Sequence, residues 1–143
     1  ILLKESDKMK KIEVVGSIII KDNKLLAAQR SAGRSLGSLW EFPGGKIEPH
    51  ETPEKALERE IFEEFGAKST IFESFLINGD AKYDFGEIIL HCYYTRLDSD
   101  IVKTIEHDEL RWVTEQEAEG LKWAPTDVPV IKELIKEGFK NEH

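Results

Sequence analysis

Hydrophobic and polar positions divide this chain into short runs of two different periods. Residues 12–20 are rich in Val and Ile and predict a strand. Lys21-Asp22-Asn23-Lys24 predicts a turn, and residues 25–29 a second strand, so the two form a hairpin. Residues 31–39 mix Ser, Gly, Arg and Leu without periodicity and read as a loop. Trp40-Glu41-Phe42 reads as a short strand ended by Pro43-Gly44-Gly45.

The period then changes. Thr52 supplies a capping hydroxyl and Pro53 the first helical position. Leu57, Ile61 and Phe65 recur every four residues as an apolar stripe, and Gly66 stops the helix. Residues 69–77 and 88–96 predict strands, with Tyr83-Asp84-Phe85-Gly86 in the connection. Residues 110–113 predict a short strand. Ala124-Pro125-Thr126-Asp127 leads into a last helix over 128–136. Strands and helices mix without regular alternation. The expected class is α+β, an α/β/α sandwich with a mixed β-sheet.

The chain has 143 residues, which fits a single domain, placed here at 9–138. A chain of this length buries roughly 70% of its unfolded surface and needs no staple. Twenty bases against 28 acids give a net charge of −8, which disfavours coating a nucleic acid polymer. The longest near-apolar run, 14–20, is far short of the ~18 residues of a membrane span, so no membrane partner is expected. Cys92 is the only cysteine, which excludes an internal disulfide and a thiolate metal cluster. The expected location is cytoplasmic, as a monomer or homodimer. Residues 1–8 carry charges and no apolar stretch of a signal peptide. They and residues 141–143 read as expression remnants or disordered ends.

Chemistry concentrates in the first predicted helix. Between Glu51 and Glu64 stand six acids and two bases, Lys55 and Arg59. At about 100° per residue, Glu60, Glu63 and Glu64 share an arc of roughly 100° at the border of the apolar stripe. A solvated face would explain single pairs such as Arg59–Glu63, each worth only ~0.3–0.5 kcal/mol. Glu60 and Glu64, however, are like charges four residues apart, which costs up to about 0.5 kcal/mol. Proximity to the core raises that cost. A divalent cation would relieve it, and an all-oxygen set suits Mg²⁺ or Mn²⁺ better than zinc. Gly44-Gly45 allows close backbone approach just before the helix, and Lys46 adds a mobile cation. Together these features predict a polyphosphate site.

The same residues carry a family pattern. Gly45, Glu51 and Arg59-Glu60-Ile61-Phe62-Glu63-Glu64-Phe65-Gly66-Ala67 resemble a complete Nudix box. Its seven fixed residues would coincide by chance on the order of 10⁻⁸ per start position. Trp40-Glu41-Phe42-Pro43-Gly44-Gly45-Lys46 resembles the segment before the box in MutT-type nucleoside triphosphate pyrophosphohydrolases. Glu106-His107-Asp108-Glu109-Leu110-Arg111-Trp112 and Trp123-Ala124-Pro125-Thr126-Asp127 are similar to C-terminal segments of that group, its CTP-type branch included.

The resemblance implies a Nudix fold and Mg²⁺-dependent hydrolysis of a nucleoside triphosphate, with Mn²⁺ as the alternative ion. The substrate would be of 8-oxo-dGTP or (d)CTP type, giving the monophosphate and pyrophosphate, with attack at the β-phosphorus. It implies that Glu60, Glu63 and Glu64 hold the metal, completed by the Gly44 carbonyl and Glu106. Glu63 or Glu106 would serve as the base. Arg30, Glu41, Phe42, Lys46 and Asp127 would contact substrate, Phe42 packing in the core as well. Gly45, Glu51, Arg59 and Gly66 would be scaffold, with Glu51 and Arg59 as an ion pair. Alanine at the three helix glutamates should then abolish turnover and leave the fold intact.

Two residues depart from the pattern. Many such boxes have Gly where this chain has His50. A left-handed turn there would cost His about 1 kcal/mol or more. Asp127 stands where the oxidised-guanine enzymes have Asn. An ionised Asp only accepts hydrogen bonds, which suits an amino group on the base. It is equally a good helix cap. His50, His91 and His107 show no metal spacing and receive no role. Two further readings remain open. Tyr83, sixteen residues past Ala67, fits a dinucleoside polyphosphate hydrolase. A non-catalytic nucleotide-sensing domain would keep the fold alone.

Overall fold

A computed structural model describes residues 10–34 and 36–140 of the chain. In chain order these form β1 (Lys11–Ile18), β2 (Ile20–Lys21), β3 (Lys24–Arg30), β4 (Trp40–Glu41) and β5 (Gly44–Lys46). Then come α1 (Pro53–Phe65), β6 (Ser69–Ser74), β7 (Gly79–Tyr83), β8 (Gly86–Leu97) and β9 (His107–Val113). Two helices follow, α2 (Glu115–Glu119) and α3 (Val128–Glu137).

A parallel pair, β1 and β8, sets the frame, with Lys11 opposite Glu87 and Ile18 opposite Tyr94. β5 joins β1 antiparallel, and β6 and β7 join β8 antiparallel, so this sheet is mixed, with order β5-β1-β8-β6. β2, β3, β4 and β9 make a second, antiparallel sheet. The expected hairpin is thus divided: β1 lies in one sheet, and the chain switches to the other at Ile19. Within this stretch β2 and β3 pair as a hairpin, through Asp22 (φ 53°) and Asn23 (φ 61°), the left-handed pair that a two-residue turn requires.

Helix α1 begins and ends where its sequence signals stand. The Thr52 hydroxyl accepts the Lys55 N–H at 3.2 Å, and Gly66 closes the helix in the left-handed region at φ 65°. Its Ala56, Leu57, Ile61 and Phe65 pack with Val15, Ile19 and Leu26. Val130, Ile131 and Leu134 of α3 pack with Ile18, Leu25, Phe42 and Leu90 in a separate core. The helices therefore cover opposite sides of the strands, giving the α/β/α sandwich. Each fully buried side chain of this kind contributes about 1.5–3 kcal/mol. No helix among the described residues is long and apolar enough to cross a membrane. The segments 1–8 and 141–143, read as remnants or disordered ends, lie outside the described residues.

Candidate functional site

A cleft of about 640 Å³ opens between the two sheets. Its polar lining includes Gly44, Lys46, Glu60 against Gly45, and Glu106 paired with Arg34. Its largely apolar lining includes Phe42, Ile88, Leu90, Ala124 and Tyr83, with Asp127 held on the Phe42 N–H. Arg30 and Glu41 line it too, as an ion pair at 3.4 Å.

Part of the polar lining lies on β5. Gly44 lies against β1 so closely that a Cβ there would meet the Val15 carbonyl oxygen at 1.8 Å. A Cβ on Gly45 would fall 2.4 Å from the Glu60 carboxyl carbon. A side chain at position 45 would push that carboxylate off its place against β5. Burial raises the Glu60 pKa above the usual carboxylate value, although Arg59 beside it opposes the shift.

Arg59 organises the helix start. It donates to both Glu51 oxygens, from Nε at 2.7 Å and Nη2 at 2.9 Å. It also donates to Glu60 at 2.8 Å, to the Lys46 carbonyl at 3.0 Å and to Glu63 at 3.3 Å. The fork holds the Glu51 carboxyl down at about 2, with the Glu48 N–H assisting. The same carboxylates raise the Arg59 pKa.

The three helix glutamates do not share one environment. Glu60 lines the cleft. The Glu63 side chain is 59% exposed. The Glu64 side chain is 8% exposed and points to the start of β9. It accepts from the Ile105 N–H at 2.7 Å, the Glu106 N–H at 2.8 Å and His107 Nδ1 at 3.1 Å. Among the described residues, no three carboxylate, imidazole or thiol side chains group closely enough to hold an ion alone. What faces the cleft is an all-oxygen set: the Glu60 and Glu106 carboxylates beside the Gly44–Gly45 backbone. Such a set fits a hard cation that keeps some waters and takes one or two carboxylates plus substrate phosphates.

Asp127 precedes α3, yet its side chain makes no cap hydrogen bond. Its Oδ2 instead accepts the Phe42 N–H at 2.9 Å, from a buried position facing the cleft. Burial, then the nearby Glu41 charge, pushes its carboxyl well above the usual range. Phe42 is buried and packs on Trp123 with ring centres 5.5 Å apart, so it serves core and cleft wall together. Lys46 is exposed at the rim, and Arg34 meets Glu106 at 3.4 Å. His50 takes φ 67°, the left-handed turn that a glycine would have favoured.

Sequence reasoning passed over His107. Its imidazole is buried and bridges Glu41 and Glu64, at 2.8 Å and 3.1 Å. Burial alone would lower its pKa, but the two carboxylates outweigh that and raise it. The signal was non-local, because both partners lie more than 40 positions away in sequence. Tyr83 was noted as a family feature but not as a cleft residue. Its hydroxyl is buried and finds no hydrogen-bond partner among the described residues.

The NUDIX domain family matches residues 10–134. A CTP pyrophosphohydrolase of Escherichia coli strain K12 is 39% identical over 128 residues, covering 89% of this chain and 93% of that protein. A putative 8-oxo-dGTP diphosphatase 2 of Mycobacterium tuberculosis is 32% identical over 123 residues, covering 86% and 87%. Among solved structures, the E. coli ORF135 protein superimposes with a TM-score of 0.76 at 38% identity, covering 87% of this chain and 88% of that one. MutT from methicillin-resistant Staphylococcus aureus 252 gives 0.73 at 42%, covering 91% and 99%.

Proposed function

Because this chain belongs to the Nudix family, we propose that it hydrolyses nucleoside triphosphates to a monophosphate and pyrophosphate, as a sanitising enzyme of the nucleotide pool. Nudix hydrolases generally use divalent metal ions, and Mg²⁺ is the ion proposed here. The carrying observation is one cleft that joins the Glu60 carboxylate, lying against Gly45, to a largely apolar lining. The first group suits phosphates. Phe42, Leu90 and Asp127 suit a base. The relatives' names support cytosine or oxidised guanine as that base.

In this reading Glu60, Glu106 and the Gly44 carbonyl would hold the cation, with Glu63 approaching once substrate is bound and Glu64 fixing the Glu106 backbone from behind. When bound there, a divalent ion would neutralise charge on the phosphate oxygens and lower the pKa of a water. Lys46, Arg30 and Arg34 orient the phosphate chain. Glu106 takes the proton from the attacking water, since it lines the cleft and Glu63 does not. The water oxygen bonds to the β-phosphorus, and the bond from that phosphorus to the α–β bridging oxygen breaks. The monophosphate leaves with the bridging oxygen. Phe42 and Asp127 fix the base, Asp127 through the carboxyl oxygen that Phe42 N–H leaves free.

Pyrophosphate release across CTP, dCTP, 5-methyl-dCTP, dGTP and 8-oxo-dGTP, with and without Mg²⁺, tests this. Mg²⁺-dependent release from one of them is expected. Silence on all five overturns it. A second reading, a dinucleoside polyphosphate substrate, is favoured by Tyr83 in the cleft wall, whose buried hydroxyl finds no partner among the described residues. Cleavage of a diadenosine polyphosphate alone would select it.

A further inference from the structure

We propose that His107 is a positioning residue that couples the substrate-contacting wall of the cleft to the acidic helix and, through it, to Glu106. The inference rests on the hydrolase reading above for its kinetic consequence, and on geometry alone for the coupling itself.

The His107 side chain is 2% exposed. Burying an imidazole costs free energy unless its nitrogens are paired, and an apolar residue would fill the space without that cost. Both nitrogens are paired here, and both with carboxylates. Nε2 meets Glu41 Oε2 at 2.8 Å, and Nδ1 meets Glu64 Oε2 at 3.1 Å. Glu41 lies on β4, lines the cleft and pairs with Arg30. Glu64 lies on α1 behind the cleft and binds the Ile105 and Glu106 N–H groups. The Glu106 side chain then returns to the cleft.

Arg30, Glu41, His107, Glu64 and Glu106 therefore form one chain of hydrogen bonds whose two ends open into the same cavity. A displacement of Glu41 by substrate is passed through one rigid ring to the carboxylate that fixes the Glu106 backbone. The backbone builds this relay deliberately. β9 pairs Gln29 with Glu109 but Arg30 with His107, so Asp108 is an extra residue in the register. Such a bulge re-aims a side chain, and here Asp108 faces out to take the Ala32 N–H at 3.0 Å while His107 turns in.

Two measurements test the coupling. First, in His107→Gln, whose two N–H donors share one nitrogen and cannot reproduce the span between the two imidazole nitrogens, kcat should fall about 10–100-fold with KM moving less than about threefold. Wild-type kcat in the folded variant, or a loss confined to KM, overturns the proposal. His107→Asn replaces it if Gln does not fold. Second, Glu41→Gln should shift the ¹H–¹⁵N amide resonances of Ile105 and Glu106, and the shift should shrink by about half or more when His107 is also replaced, as coupled neighbours show non-additivity. Unmoved amides, or equal movement in both backgrounds, overturn it. If the wild-type protein releases pyrophosphate from no nucleotide, the hydrolase reading fails, and the amide experiment still decides the role of His107.

Discussion

Glu64 holds Glu106 in place: its carboxylate accepts the Glu106 backbone N–H at 2.8 and 3.1 Å, from a helix 42 positions earlier in the chain. Glu64 also accepts the Ile105 N–H at 2.7 Å. Alanine at Glu64 therefore orphans two backbone donors and one face of His107. Each unpaired donor costs about 1–3 kcal/mol where it is buried. Glu64→Ala should lower the melting temperature clearly, measured by calorimetry. Glu63→Ala, at a 59% exposed side chain, should change stability by less than about 0.5 kcal/mol. The sequence reading expects all three alanines to leave the fold intact; the hydrogen bonds of Glu64 add the expectation of a stability cost at that position alone. Activity loss in Glu63→Ala is the cleaner test of chemistry.

The local part of this architecture was readable in the sequence, and the pairing part was not. Helix α1 announces itself through Thr52, Pro53, the Leu57–Ile61–Phe65 stripe and Gly66, all local signals. Strands β5 and β7 do not, because Gly44–Lys46 and Gly79–Tyr83 are strands only through their partners β1 and β8. Helix α2 was missed although Thr114 and Glu117 form a capping box, because five residues show no stripe. Within the site, periodicity placed Glu60, Glu63 and Glu64 on one arc. It could not tell that one lines a cleft, one meets solvent and one is buried behind it. That division depends on where residues 105–107 return.

The Glu51–Arg59 pair sets an acid limit. The Glu51 carboxyl is held at about 2 in the folded protein, against an ordinary 4.5. A depressed carboxylate contributes stability that is present above 4.5 and lost as pH falls from there toward 2. The melting temperature of the wild-type protein should drop through that window. Glu51→Gln should be less stable at neutral pH and show a shallower drop, in thermal scans from pH 2 to 6.

His50 carries strain that glycine would remove. Its φ of 67° places a Cβ against the backbone, at a cost of roughly 1–2 kcal/mol. His50→Gly should therefore stabilise the protein by about 1 kcal/mol or slightly less, since glycine also loosens the unfolded chain. Urea unfolding of both proteins measures it. An unchanged midpoint would mean that His50 makes compensating contacts.

Metal binding should depend on the nucleotide. No three side chains among the described residues group to hold an ion alone, and Glu64 is occupied by N–H donors. Mg²⁺ by itself should barely move the melting temperature. Mg²⁺ with a non-hydrolysable triphosphate should raise it, by about 2.7 kcal/mol of stability at a hundredfold excess over Kd. An equal shift from Mg²⁺ alone would reveal a preformed metal site.

Asp127 should make the protein less stable as pH rises. Burial first, and the Glu41 charge second, raise its folded pKa well above the ordinary 3.8. A raised acid gives stability that is fully present below 3.8 and lost as pH climbs through the folded value. Asp127→Asn cannot ionise, yet its amide oxygen can still accept the Phe42 N–H now bound at 2.9 Å. The variant and the wild type should match in melting temperature near pH 3.5, and the variant should gain on the wild type as pH rises above 3.8. Glu41→Gln should flatten the wild-type slope by removing the second cause. Parallel curves for wild type and Asp127→Asn would show that the carboxyl ionises freely in the cleft. Asp127 would then meet the base as an acceptor only, and an amino-bearing base such as cytosine would be the better partner. Curves still diverging at neutral pH mean that it holds a proton there and can donate one hydrogen bond to a base carbonyl.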